Sequence, residues 1–314
     1  MNPKFSVVIP VFNEDESLQE LIARIAESFK KFDQTYEIVF IDDGSTDTSL
    51  ELLKKYSRDN KNIHVISFRK NLGKSPALTV GFEHSKGDYI LTMDADLQDD
   101  PANIDRLFAR MEKDNLDLVS GWRKDRRDTL FKKVSSKFFN SFIIPLLFKV
   151  KLHDMNCGLK LYRKSFAKEL RIYGGMHRFI PVLASEMGFR ASEEPIIHHA
   201  RKYGYSKYKP TKILTDIPDL FTMFFLTKYT RRPLHFFFQL GAALLALGFG
   251  ILIYLVILKL FGEAIGGRPI LIFGVLFVLG GAQTIFTGLL ADLLVNVNEK
   301  TVNNYLIKYR SSAL

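Results

Sequence analysis

Apolar positions over the first 120 residues recur in two alternating rhythms. Phe5 to Val11 is an apolar run, the pattern of a strand buried on both faces of a parallel sheet. Asn13 to Phe32 then places Leu18, Leu21, Ile22, Ile25 and Phe29 at helical spacing behind an acidic start. The alternation continues with strands expected at Glu37–Ile41, Ile63–Phe68, Asp88–Met93 and Leu116–Gly121. Helices are expected between them at Thr46–Tyr56, Ser75–Ser85 and Pro101–Lys113, the last with Pro near its first turn. Strand and helix in turn at this spacing predict an open, mainly parallel α/β sheet, in which ligands sit at the carboxyl ends of strands.

Beyond residue 230 the rhythm disappears. Pro233 to Leu258 is 26 residues, and Ile270 to Ala291 is 22, without a single Asp, Glu, Lys or Arg. A bilayer core of roughly 30 Å needs about 20 apolar helical residues, so both stretches read as membrane spans, at about 234–259 and 270–292. Lys228, Arg231 and Arg232 precede the first span, and Lys300, Lys308 and Arg310 follow the second. The positive-inside rule then puts residues 1–230 and the tail 296–314 in the cytoplasm, joined by a hairpin within 231–295. The N-terminus runs straight into a strand pattern, so no signal peptide is expected.

Composition sharpens this picture. The chain has 314 residues, a formal charge of +10 and 47% hydrophobic residues, which excludes disordered and collagen-like classes. One Cys excludes a disulfide framework or a Cys-based zinc site. The charge is concentrated: Arg123 to Arg171 holds 14 Lys or Arg against four Asp or Glu. Within it, residues 130–150 interleave lysines with Phe, Ile and Leu, as suits a helix lying in a membrane interface with its lysines reaching headgroups. A solvated helix face is the plainer alternative. A nucleic-acid surface is disfavoured by the neighbouring spans. Residues 212–229 read as a second interfacial helix.

The chemistry gathers at strand ends. Asp94-Ala95-Asp96 follows the fourth strand pattern, and residues two apart on a strand face one side. Two such carboxylates make a site for a hard cation, Mg2+ or Mn2+, with phosphate oxygens and water completing the shell. Gln98 continues the spacing and offers a carbonyl oxygen. Asp42-Asp43-Gly44-Ser45 fits a capped turn, but a carboxylate there also suits a nucleotide base or ribose. Asn71-Leu72-Gly73-Lys74 is weak evidence for a phosphate loop. Arg123 and Arg201 suit phosphate oxygens or surface ion pairs equally well. Asp154 serves as a base, an orienting group or a partner for an arginine. His177, His198 and His199 read as surface or packing residues, with His177-Arg178 placed near headgroup phosphate as the alternative.

Taken in order, Val8-Ile9-Pro10-Val11-Phe12-Asn13-Glu14, Ile41-Asp42-Asp43-Gly44-Ser45, Met93-Asp94-Ala95-Asp96-Leu97-Gln98, Ser120-Gly121-Trp122-Arg123 and Arg201-Lys202-Tyr203-Gly204-Tyr205-Ser206-Lys207-Tyr208 resemble family 2 glycosyltransferases. More narrowly, the chain resembles the polyprenyl-phosphate glycosyltransferases, which include dolichol-phosphate mannose synthases and bacterial undecaprenyl-phosphate glucosyltransferases. The resemblance implies a GT-A, Rossmann-like α/β catalytic domain with interfacial helices and a two-span hairpin. It implies that Pro10, Phe12, Glu14, Ile41 and Asp43 line the base and ribose pocket and that the backbone at Ala95 approaches the nucleotide. Asp94, Asp96 and Gln98 would hold the metal. Arg123, Arg201 and Lys207 would neutralise phosphates, and Lys132 and Ser136 would sit near the lipid phosphate. Lys132 stands where many relatives have Arg, and Phe12 where Tyr is commoner.

The implied reaction is inverting transfer of a sugar from a nucleotide-sugar to undecaprenyl phosphate in an inner membrane. The resemblance puts UDP-glucose first as donor, with GDP-mannose and UDP-N-acetylglucosamine behind it. Membrane lipid is the implied surroundings, and a homo-oligomer such as a tetramer is allowed. Two rivals stand beside this. A processive polysaccharide synthase would carry a Gln-x-x-Arg-Trp signature, which the chain lacks. A non-catalytic partner of a lipid flippase would not need an intact Asp94-Ala95-Asp96 with Arg201.

Overall fold

The computed structural model describes residues 3–124, 144–148, 150–200, 202, 212–229 and 232–299, with side chains left aside for 212–217 and 296–299. By internal contacts it divides into two units, Met1–Met223 and Phe224–Leu314.

The first unit is built on a seven-stranded sheet. Its strands are β1 (Phe5–Val11), β2 (Tyr36–Asp42), β3 (Ile63–Ser67), β4 (Tyr89–Thr92), β5 (Leu118–Trp122), β6 (Lys160–Arg163) and β7 (Ala191–Pro195), in spatial order β3-β2-β1-β4-β6-β5-β7. The first five agree with the hydrophobic pattern to within two residues at either end. β1 pairs in parallel with both β2 and β4, and β2 in parallel with β3. The sheet departs from the mainly parallel expectation at β6, which runs antiparallel between β4 and β5. β7 then adds in parallel to β5. The architecture is thus a GT-A-like mixed α/β sheet.

Helices cover the sheet: α1 (Asp15–Phe32), α2 (Ser49–Asp59), α3 (Lys74–His84) and α4 (Ile104–Lys113), then the short α5 (Ile144–Phe148), α6 (Lys164–Glu169) and α7 (Ile180–Glu186). The helix expected from Pro101 begins instead as a 3-10 turn, Pro101–Asn103, with the Asp100 carboxylate accepting from the Ala102 N–H. α1 buries Leu18, Leu21, Ile25 and Phe29, the stripe its spacing dictates. At the amino end of β1 an aromatic cluster closes the core. The Phe5 ring lies 5.2–5.7 Å from those of Phe29, Phe32, Tyr89 and Phe108. Each fully buried ring of this kind contributes roughly 1.5–3 kcal/mol. The apolar mass therefore sits at one end of β1, and the chemistry is left to the other. A long helix, α8 (Lys212–Lys228), covers the segment expected to be the second interfacial helix.

The second unit is an antiparallel pair, α9 (Pro233–Leu260) and α10 (Pro269–Glu299). Both are long and apolar enough to cross a membrane, with mean hydropathy 2.6 and 2.1, and only 17% and 11% of the most apolar windows are buried. Helices that serve as a soluble core are buried, so this exposure matches the reading as spans. The two pack through small residues. A Cβ on Gly241 would lie 2.7 Å from the Gly281 carbonyl oxygen, and one on Gly281 equally close to the Gly241 oxygen. Backbones this near need glycine on both sides. The first expected interfacial helix, 130–150, lies outside the described residues except for α5 and Val150.

Candidate active site

From β1 the chain moves outward to β2 and β3, then returns across β1 to β4. The carboxyl ends of β1 and β4 consequently diverge, and a crevice opens at this switch point. A cavity of about 650 Å³ lies there. The end of β1 supplies Pro10, Val11, Phe12 and Glu14 to it, and the end of β2 supplies Asp43. Asn71 and Gly73 enter from the loop before α3, Lys74 from the first position of α3, and Asp94, Ala95 and Asp96 from the loop after β4. Gly174, Gly175, His177 and Arg178 come from the turn before α7, and Asp219 from α8.

Asp43 is held rigidly. Its two carboxylate oxygens accept the Leu72 N–H at 2.7 Å and the Gly73 N–H at 2.9 Å. Asp42 is buried below it, accepting from the Ser45 N–H at 3.1 Å and the Ser67 hydroxyl at 2.7 Å. Gly44, at φ 71°, lets the 70–71 backbone close over the strand tip, where a Cβ would stand 2.5 Å from the Lys70 carbonyl carbon. The sequence 42–45 is thus both turn and cavity wall. Ile41, expected to line the base pocket, is fully buried within β2 and does not reach the cavity.

β4 stops at Thr92, so Asp94-Ala95-Asp96 lies in the turn beyond it. Strand alternation therefore does not aim these carboxylates, contrary to the sequence argument, yet both reach the cavity. Asp94 Oδ1 pairs with Lys74 Nζ, the two side chains 39% and 30% exposed. Desolvation alone would raise the Asp94 carboxyl, but the Lys74 ammonium outweighs it and holds it below the usual carboxylate range. The Gln98 N–H donates to Asp96 Oδ1 at 3.2 Å. Leu97, at φ 60°, turns the chain, and the Gln98 carbonyl accepts from the His199 N–H at 2.7 Å. Gln98 is not on the cavity wall.

A divalent cation fits this donor set with one adjustment. Among the described residues no cluster of three or more His, Cys, Asp or Glu forms a closed metal cage. Two carboxylates facing an open cavity are instead what Mg2+ or Mn2+ takes when phosphate and water complete its shell. The adjustment concerns Lys74, whose ammonium shares the Asp94 carboxylate with any such cation.

Lys74 and His177 both line the cavity, and Ser75, next to Lys74, bonds the turn that carries His177. The Ser75 hydroxyl donates to the Gly174 carbonyl at 2.7 Å and accepts the His177 N–H at 3.2 Å. Its single proton is thereby committed, so His177 Nδ1, 2.9 Å away, is the donor to it. His177 is therefore the Nδ1–H tautomer, with Nε2 an acceptor. Burial, reinforced by the Lys74 charge, pushes its pKa well below the usual histidine value and keeps it neutral. Asp219 packs directly on the Gly174-Gly175 turn, where a Cβ on Gly175 would collide with its Oδ2 at 1.9 Å.

Arg123 does not line the cavity. Its Nε donates to Asp154 Oδ2 at 2.7 Å and its Nη2 to Oδ1 at 3.0 Å, a bidentate pair 13% and 3% exposed. Burial would lower the guanidinium's pKa, but the Asp154 carboxylate more than offsets this and raises it. Glu193 fastens the same loop, accepting the His153 N–H at 2.8 Å and pairing with its ring, while that ring stacks on Trp122 at 4.2 Å. Of the three roles open to Asp154, the geometry matches a partner for an arginine.

Behind the site, Lys160 is buried on β6 and donates to the Cys157 carbonyl. Burial lowers its pKa to about 8. Arg201, Lys207, Lys132 and Ser136 lie outside the described residues. Sequence reasoning passed over Lys160 and Asp219 as site residues, gave Lys74 little weight, and offered Arg178 only as a neighbour of headgroup phosphate. The available signal was charge beside apolar residues: Arg178 directly precedes Phe179–Leu183, and Asp219 follows Asp216 within the mixed start of α8.

A family model described as Glycosyl transferase family 2 matches residues 6–171. The dodecaprenyl-phosphate galacturonate synthase of Rhizobium johnstonii is 37% identical over 311 residues, covering 97% of this chain and 92% of the relative. Among solved structures, S. aureus TarS 1–349 in complex with UDP-GlcNAc superposes with a TM-score of 0.51 at 20% identity, covering 71% of this chain and 66% of that one. The glucosyl-3-phosphoglycerate synthase of Mycobacterium tuberculosis in complex with Mn2+, UDP and glucosyl-3-phosphoglycerate superposes at 0.52 with 18% identity, covering 72% and 79%. These two likenesses show the fold.

Proposed function

Because the chain belongs to glycosyl transferase family 2, within its polyprenyl-phosphate glycosyltransferases, we propose that its cavity transfers a sugar from a nucleotide-sugar donor to a membrane-held polyprenyl phosphate. The carrying observation is the convergence of Phe12, Asp43, Asp94 and Asp96 on one crevice at the sheet's switch point. A nucleoside fits the Phe12 and Asp43 end, where an aromatic face and a fixed carboxylate serve the base and ribose. The diphosphate then lies toward Ala95. Asp94 and Asp96 would hold a divalent cation, Mg2+ or Mn2+, which when bound neutralises the charge that develops on the leaving diphosphate.

An acceptor phosphate oxygen attacks the sugar's anomeric carbon while the bond from that carbon to the diphosphate oxygen breaks. The electron pair leaves with the nucleoside diphosphate, and the anomeric centre inverts. A phosphate monoester has a second pKa near 6, so the acceptor is ionised at neutral pH and needs no strong base. That agrees with Asp154 being committed to Arg123. The task left to the protein is to hold two anions together. We assign Arg201 and Lys207 to the phosphates, and Lys132 with Ser136 to the lipid phosphate; Arg123, committed to Asp154 away from the cavity, is not among them. The two apolar helices carry the catalytic unit on the cytoplasmic face of an inner membrane, where an undecaprenyl chain is the proposed acceptor.

UDP-glucose, the donor expected from sequence, stands beside the hexuronate in the R. johnstonii relative's name. The test is a panel of nucleotide-sugars with purified full-length protein, Mg2+ or Mn2+ and undecaprenyl phosphate, with mass spectrometry of the lipid. A polyprenyl-monophosphate sugar from at least one donor is expected. No sugar-bearing lipid from any donor would contradict the reading and leave the non-catalytic partner in its place.

A further inference from the structure

Glu14, Asp43, Asp94, Asp96 and Asp219 make the cavity wall predominantly acidic. A donor brings a diphosphate into it, and a divalent cation together with the side chains assigned above to the phosphates answers that charge. Among the described lining residues two side chains are full cations, Lys74 and Arg178, since His177 is neutral. Lys74 is spent on Asp94. Arg178 lines the cavity on the turn with Gly174, Gly175 and His177, the turn on which Asp219 packs. With the nucleoside at the Phe12 end and the diphosphate at Ala95, this remaining end takes the sugar.

Sugar hydroxyls are served there by acceptors, the Asp219 carboxylate and His177 Nε2. A guanidinium adds only donors. The planar fork of arginine matches a carboxylate through two parallel N–H donors, and its five N–H groups allow a protein neighbour and a ligand to be held together. We propose that the Gly174–Arg178 turn and Asp219 form the sugar end of the cavity, and that Arg178 there binds the carboxylate of a hexuronosyl donor. The inference rests on the transferase reading above and names its substrate class. The same anionic chemistry is offered by the acceptor's phosphate, and the experiment separates the two.

Two donor pairs differ only at carbon 6: UDP-galactose with UDP-galacturonate, and UDP-glucose with UDP-glucuronate. With purified full-length protein and undecaprenyl phosphate in vesicles, kcat/KM is measured for each. Wild type is expected to favour the uronate of at least one pair by about tenfold or more. Arg178→Met is expected to reduce that ratio by about tenfold or more, and Arg178→Lys to reduce it less, because an ammonium keeps the charge but not the fork. A wild-type preference for the neutral hexoses in both pairs overturns the proposal without needing a variant to fold. A ratio unchanged in Arg178→Met, with a raised KM for undecaprenyl phosphate, overturns it in favour of the lipid phosphate. Absence of transfer from all four donors and from the wider panel sinks the transferase reading itself, a result distinct from either.

Discussion

At the residue scale the sharpest feature is a buried ion pair with no view of the cavity. Arg123 and Asp154 sit 13% and 3% exposed, joined by two hydrogen bonds. Removing one partner of such a pair strands the other charge, at a cost of about 3 kcal/mol. Asp154→Asn should therefore lower the stability of the first unit by about that amount, as read by chemical denaturation in detergent. The Arg123→Met/Asp154→Leu double variant should recover most of that stability, because no buried charge is left unpaired. Lys160 gives a second, pH-dependent test. Its folded pKa of about 8 lies below the roughly 10.4 of an unfolded lysine. Between these values the unfolded chain binds more protons, so this group's contribution to stability rises with pH. Lys160→Met should remove that rise, and the difference between variant and wild type should therefore shrink from pH 7 to pH 9.5. An arginine partner was one of three roles the sequence left open for Asp154, whereas the burial of Lys160 was not legible there. Lys160 reads as one more lysine in a basic window, and only the placement of β6 between β4 and β5 reveals it as buried. Asp94 and Asp96 were legible as a pair, but for a reason the turn after Thr92 does not support.

At the element scale, strands with apolar cores could be read directly and the last two could not. β6 is four residues, Lys160–Arg163, whose Lys and Arg disguise it, and it is held by neighbours on both sides. β7, Ala191–Pro195, carries no large aliphatic residue, and its place is set by backbone pairing with β5. Periodicity sees side chains, and these strands exist because of backbone hydrogen bonds. The contact of α3 with β1 offers a direct test of packing near the site. A Cβ on Gly81 would stand 2.3 Å from Val8 Cγ1, and a β-branched strand residue has little room to turn. Gly81→Ala should cost about 1–3 kcal/mol, measured as a lowered denaturation midpoint. In the helical pair, Gly281→Leu should separate α9 from α10 at the Gly241 contact and lower the protein's thermal stability in detergent.

At the scale of the whole molecule, the chain joins a charged catalytic unit to an apolar helical pair, as a reaction between a dissolved donor and a lipid acceptor requires. Both parts were visible in the hydropathy pattern, one as alternating strand and helix, the other as two uncharged runs. The sugar end of the cavity was not, because Gly174, Arg178 and Asp219 come from segments that folding brings together across a long stretch of chain. Asp96→Asn should abolish metal-supported transfer while leaving the protein in the membrane fraction, as judged by sedimentation and lipid product. The most direct measurement is the anomalous scattering of Mn2+ in crystals of the full chain soaked with a nucleoside diphosphate. The account predicts a manganese peak bonded to Asp94 and Asp96, with the diphosphate against Ala95 and the Lys74 ammonium displaced or shared. A nucleotide bound away from this crevice, or manganese with neither carboxylate as a ligand, would contradict it.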